Sequence, residues 1–316
     1  MTRAGLVLLA ALLPAAGADA APFAWITNQI DDTVSVIDTA TQEVVATVDV
    51  GHRPAGVVAS HDGSRVYVTN PESRDLSVID GRARRVIAVV PLGGGPLGIA
   101  ISPDDRWVFV SDWYEHRVDV VDAVTLSVDR AIHVGRSPSG LAVTPDGTRL
   151  VVANRDDNTV SVVDTGSGRT LALVPAGKAP FGVTIAESGD VAFVANVQSS
   201  DVSVIDLATN RVVRTLPVGS FPYAVAHDAA RNRIFVTNQH DNTVSVLDPR
   251  EGTTLATVEV GDYPEGIALH PDGRQVYVAS WFDGAVILLD AESLKVTGSI
   301  RTGKGSRAFG DFIAPR

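Results

Sequence analysis

His116 and His240, with Glu115 and Asp241 beside them, could offer imidazole and carboxylate ligands to a metal ion or a haem iron. No two histidines stand at a metal-motif interval, so such a centre would need loops that lean together. His52 belongs with these two, whereas His61 and His270 fall in turns at the other end of their strands, so the five cannot form one site. The chain contains no cysteine, which excludes disulfides, thiolate metal sites and covalent c-type haem attachment. It carries no nucleophile motif, phosphate-cradling loop or carboxylate pair of fixed geometry, and no catalytic residue is assigned. The other candidates are aromatic. Trp113-Tyr114 and Trp281-Phe282 fall in loops where exposed rings point to a ligand platform or a protein contact. Arg53, Asp112, Arg155 and Tyr263 complete the expected binding set with His116 and His240.

These residues hang on a repeat. Counted from the residue before a recurring glycine, copies run 50–91, 92–133, 134–175, 176–217, 218–259 and 260–301, each 42 residues long. Four short β-branched runs per copy, separated by Pro, Asp and Gly, predict an all-β, seven-bladed propeller of four-stranded antiparallel blades. In the copy at 92–133 the strands are expected at 98–102, 107–111, 117–122 and 127–132. We letter them A to D from the axis outward. Residues 22–49 hold strands B, C and D without an A, and 302–316 supply it at 308–313, so a blade shared by the two chain ends closes the ring. The D-to-A and B-to-C loops then share one face, where the sequence varies and a ligand or partner is expected. On it, Trp113 and Trp281 should nearly face each other across an axial funnel.

Positions that recur in every copy read as structure. Asp38, Asp80, Asp122, Asp164, Asp206, Asp248 and Asp290 end strand C, where a carboxylate accepts backbone bonds and starts a turn. Gly51 and its six equivalents suggest positive φ or close backbone approach. Pro54, Pro96, Pro138, Pro180, Pro222 and Pro264 stiffen the way into strand A, with Ser306 in the closing blade. Asn28, Asn70, Asn154, Asn196 and Asn238 end strand B, replaced by Asp112 and Ser280 in the two blades that carry the tryptophan loops. His227 stands where Ala59, Ile101, Val143, Ile185 and Leu269 stand, and reads as a hydrogen-bonded core histidine.

Residues 1–20 have a basic start, an apolar run from Leu6 to Leu13 and small residues up to Ala20, the pattern of a secretory signal cleaved there. The mature chain, 21–316, is then a single periplasmic domain with no membrane span and, as a closed ring, a monomer. A net charge of −11 argues against nucleic-acid binding, which needs Lys and Arg on phosphates.

The strings VYVTN at 66–70, IFVTN at 234–238 and TVSVID at 33–38, with PDG turns at 145–147 and 271–273, resemble the YVTN-repeat β-propeller family over residues 22–316. The chain is also similar to exported members found beside PQQ-dependent alcohol catabolism. The resemblance implies a binding or accessory protein. Three functions are expected in order. The first is a non-catalytic scaffold that presents the D-to-A and B-to-C loop face to a protein or small ligand, with no cofactor. The second is a periplasmic carrier of haem, a redox centre or a metal, using His116 or His240. The third is a metal-assisted lyase or hydrolase.

Overall fold

A computed structural model describes residues 22–314, and the expected signal segment lies outside them. The described residues form seven antiparallel sheets, six of four strands and one of three, with neighbouring strands consecutive in sequence. This is the seven-bladed propeller. The strands of the second blade, Pro96–Ile101, Trp107–Asp112, Arg117–Asp122 and Ser127–His133, lie close to their predicted places. Among the described residues no helix is long and apolar enough to cross a membrane.

Strands A to C are buried on both faces, so each reads as an apolar run, and the contacts that matter lie between blades. One position of strand B carries a large ring in six blades: Trp25, Tyr67, Phe109, Phe193, Phe235 and Tyr277, each almost wholly buried. Tyr67 packs with Val108 and Val110 of the next blade, and Phe235 with Val276 and Val278 of the next. The wedges turn a stack of sheets into a ring.

Local chemistry holds the blade ends. Asp80 Oδ1 accepts the backbone N–H groups of Arg82 and Ala83 at 2.9 and 2.7 Å, and Asp122 does the same for Val124 and Thr125 at 2.8 and 3.0 Å. Asn154 Oδ1 accepts the Gly135 N–H at 3.0 Å while its Nδ2 donates to Ser161 at 2.9 Å. A side chain at Gly135 would put its Cβ 2.7 Å from Asn154 Cβ, so close approach is what requires glycine there. Positive φ, the other expectation for these glycines, falls two residues later, at Arg53, Ser137, Ala179, Phe221 and Tyr263.

The closing blade departs from the rest. Strands Phe23–Asn28, Thr33–Asp38 and Glu43–Asp49 pair with each other, and the chain end joins them through the bridges Asn28 to Ser306 and Ala24 to Ile313. In the sixth blade Pro264 pairs with Ser280 and Leu269 with Val276. By the 42-residue period Ala24 should therefore face Asp311, yet it faces Ile313 two positions on. The regular strand expected at 308–313 is replaced by isolated bridges whose register shifts by two residues, with Gly310 at φ 129° between them. Phe309 and Asp311 instead offer their carbonyls to Val57 and Ala59 of the first blade at 3.0 and 3.3 Å.

Candidate functional site

On the D-to-A and B-to-C face the structure gathers part of the expected set. His240 stacks on Phe221 at 3.7 Å, Tyr263 lies 6.0 Å from His240 and 5.4 Å from Phe282, and Phe282 meets Trp281 edge-on at 4.7 Å. Trp281 Nε1 donates to Gln29 at 3.1 Å. Trp113 stands apart, 6.3 Å from Phe181 with the Arg155 guanidinium 5.6 Å over its ring. Tyr114 is 70% exposed and Phe282 63%. Arg53 lies at the edge in an exposed pair with Glu72.

Two members of the set have structural work. Asp32, His116, Asn158 and Asn242 share one repeat position with φ between 55° and 57°. Each side chain accepts a backbone N–H of the following D-to-A loop: Arg53 at 2.8 Å, Ser137 at 3.1 Å, Ala179 at 2.8 Å and Tyr263 at 3.0 Å. His116 Nδ1 is thus a loop clasp. Asp112 is buried and accepts the N–H groups of Gly95, Tyr114 and Glu115 at 3.0, 3.1 and 3.1 Å. Its other oxygen lies 3.9 Å from Arg117, which pairs with buried Asp119 at 2.8 Å, so an ion cluster replaces the Asn-Ser pair of other blades.

Between Trp113 and Trp281 the axis is filled. The residue after each loop proline forms a ring of Ala55, Leu97, Ser139, Phe181, Tyr223, Glu265 and, after Ser306, Arg307. Phe181 packs on Tyr223 at 4.2 Å and on Phe309 at 5.1 Å. Arg307 pairs with buried Glu265 at 2.7 Å and donates to the Tyr223 hydroxyl, and Gln239 donates to Glu265 at 3.1 Å. Burial pushes the Glu265 carboxyl up and the Arg307 charge opposes the rise. The expected funnel on this face is a plug.

The opening lies on the opposite face. An axial cavity of about 720 Å³ is walled by strand A residues such as Ile99, Leu141, Val183 and Ile267, and floored by Phe309. His227 and Asp311, the latter 84 residues on and therefore at the same repeat position, both line it. The His227 ring packs 5.3 Å from Phe193, its Nδ1 is buried without a partner, and burial pulls its pKa down, which keeps the imidazole neutral. The hydrogen-bonded core histidine expected there is instead a half-buried imidazole facing a cavity. Asp311 is open to the cavity yet ringed by protein, and burial pushes its carboxyl up while nearby His61 opposes. At the mouth His61 holds Asp105 at 2.6 Å, and His270 is engaged by Asp272 at 2.7 Å and Thr39 at 3.1 Å. Among the described residues no group of three or more His, Asp or Glu side chains is placed to hold a bare metal ion.

This cavity has the dimensions of a small-molecule site, with apolar strand A walls and four carboxylates and three histidines among its lining residues. The His227 ring and the apolar strand A side chains would give a flat iron macrocycle a nitrogen donor and contact for its ring, while the cavity lining holds four carboxylates and no Lys or Arg to meet acidic substituents.

The family model described as "Cytochrome D1 heme domain" matches residues 18–141, less than half of the chain. No curated protein matches it. Among solved structures the Kuenenia stuttgartiensis hydrazine synthase is similar with a TM-score of 0.77 and 23% identity, over 84% of this chain and 91% of that one. A functionally unknown protein from Desulfotomaculum acetoxidans DSM 771 gives a TM-score of 0.78 at 18% identity, over 90% and 99%. The dihydro-heme d1 dehydrogenase NirN, in complex with DHE, gives 0.69 at 18%, over 91% and 75%. At such identities these likenesses establish the propeller and leave its chemistry to the residues of this chain.

Proposed function

We propose that this chain is an exported, monomeric propeller of the YVTN-repeat type that holds a haem-like macrocycle in its axial cavity, with His227 as the iron-facing imidazole. The observation that carries the reading is half-buried His227, an imidazole on strand A that lines an axial cavity of about 720 Å³ and makes no hydrogen bond through Nδ1. The matched haem-domain model and the resemblance to a propeller solved with DHE support it. This is the carrier role anticipated from sequence, moved from His116 and His240 on the loop face to a histidine on the other. When bound, the iron would supply electron transfer or the binding of a further small ligand, and the chain would supply orientation through His227 and the strand A walls. The aromatic run from Phe221 to Trp281 supports a second role for the loop face, contact with a protein partner, since Phe282 is 63% exposed at its end.

Titration of the purified protein with ferric protoporphyrin, followed by visible absorbance, tests the first reading. A saturable, stoichiometric shift that weakens at least tenfold in His227→Ala but not in His240→Ala is expected. Absence of any shift, or equal loss in both variants, would remove the cavity from the function.

A further inference from the structure

The second blade fastens its loops differently from the others. Five blades end strand B with an Asn whose Nδ2 donates at 2.9 Å to the serine seven residues on: Asn28 to Ser35, Asn70 to Ser77, Asn154 to Ser161, Asn196 to Ser203 and Asn238 to Ser245. In the second blade these positions are Asp112 and Asp119, 1% and 2% exposed. Two carboxylates replace a donor and an acceptor, so a bond between them needs a proton. Arg117 lies 2.8 Å from Asp119 and 3.9 Å from Asp112, and its single charge balances only one of them. The other negative charge is left on buried groups, and Asp112 Oδ2 has no hydrogen-bond partner.

These carboxylates sit beneath the exposed ring of the loop face. Asp112 Oδ1 accepts the N–H groups of Gly95, Tyr114 and Glu115, and so ties the D-to-A loop to the B-to-C loop. Gly93-Gly94-Gly95 closes over it: a Cβ on Gly94 would run into the Asp112 carboxylate, and one on Gly95 would come 2.7 Å from the Tyr114 ring. Tyr114, 70% exposed, thus lies across the loop that Asp112 holds. The other titratable and charged groups of this blade end are Glu115, His116 and Arg117, with exposed His133 opposite Arg117 on strand D. Asp119 stands opposite Val110, on the side where Leu76, Val78 and Val90 of the first blade pack, and that blade's loop brings Glu72 and Arg74, both exposed. Burial pushes the Asp119 carboxyl up, Arg117 opposes, and the charges of Asp112 and Glu115 add to the rise.

We infer that Asp119 keeps a proton that it donates to Asp112, and that this proton latches the Trp113-Tyr114 loop to the loop face. Without it, two like charges on buried groups loosen the loop, so the presentation of Tyr114 follows ambient pH. The latch is independent of what the axial cavity takes. A proton held by the folded chain and not by the unfolded one adds stability that is full below the unfolded pKa and lost as pH rises through the folded one.

The amide resonances of Gly95, Tyr114 and Glu115 in the intact protein, followed from about pH 4 to about pH 8 together with their hydrogen exchange, test the latch. The three should share one step above the ordinary carboxylate value of about 4. Beyond that step the exchange of Tyr114 and Glu115 should quicken severalfold relative to Gln198 and Ser199, which hold the same positions in the fourth blade. Asp119→Ser, which installs the residue of five other blades, should abolish the step and leave the amides protected throughout. His116→Asn and His133→Gln should each leave the step in place. No step in the wild type, or one at the ordinary carboxylate value, would overturn the held proton. A step that survives Asp119→Ser, or that is lost with either histidine, would overturn the assignment to Asp119. A step with unchanged exchange would overturn the latch. The wild-type titration needs no variant, so a poorly folding Asp119→Ser leaves the test intact.

Discussion

At the scale of single residues, repeat position separates structural from ligand-facing groups. His116 does what Asn158 and Asn242 do, so His116→Asn should leave the melting temperature and haem titration unchanged, whereas His116→Ala should cost about 1 kcal/mol in urea unfolding. A haem titration lost in His116→Asn would return that residue to the list of iron ligands. His227 was visible in the sequence as a polar residue in an apolar column, but a bonded core role and a cavity-facing one look the same there. Asp311 was within reach, 84 residues beyond His227. Its inward projection was not, because a register shift depends on pairing rather than on residue type.

At the scale of elements, the strand C carboxylates make stability depend on pH. Backbone N–H groups of the C-to-D turn hold Asp80, Asp122, Asp206, Asp248 and Asp290 below the ordinary value of 3.8. Ser64 and Ser60 hold Asp62 down to about 2. A depressed folded pKa means stability present above the unfolded pKa and lost as pH falls through the folded one. Unfolding free energy should therefore be flat above about pH 5 with respect to these groups and fall between about pH 4 and 2. Urea midpoints that hold level across that window would contradict the turn role. The strand B wedges act at the same scale: Phe235→Ala should cost about 3–5 kcal/mol, since its ring is wholly buried between blades. The turns and strands were legible because each motif fulfils a local need. Of the two reasons the sequence offered for the loop glycine, close approach holds, through Asn crowding, and the left-handed residue lies two positions on because that contact is tertiary.

At the scale of the whole molecule, closure follows from the count of strands at the two ends, and the bridges Asn28 to Ser306 and Ala24 to Ile313 realise it. Removing residues 302–316 would expose Phe23–Asn28 as an open edge and strip Phe309 from the channel floor. Loss of a single cooperative thermal transition is expected, and a truncated chain that melts like the intact one would show that the ring closes without it. The ring also decides which face can open. Arg307, Glu265, Tyr223 and Phe309 plug one end of the axis, and the cavity with His227 faces the other. The sequence pointed to the variable loop face because variation was its visible signal, whereas the cavity is built from conformations of the inner strands. The most direct test is an iron anomalous difference map from crystals grown with ferric protoporphyrin. A peak inside the axial cavity within bonding distance of a His227 ring nitrogen is the expected result. A peak beside His116 or His240 on the plugged face would contradict it.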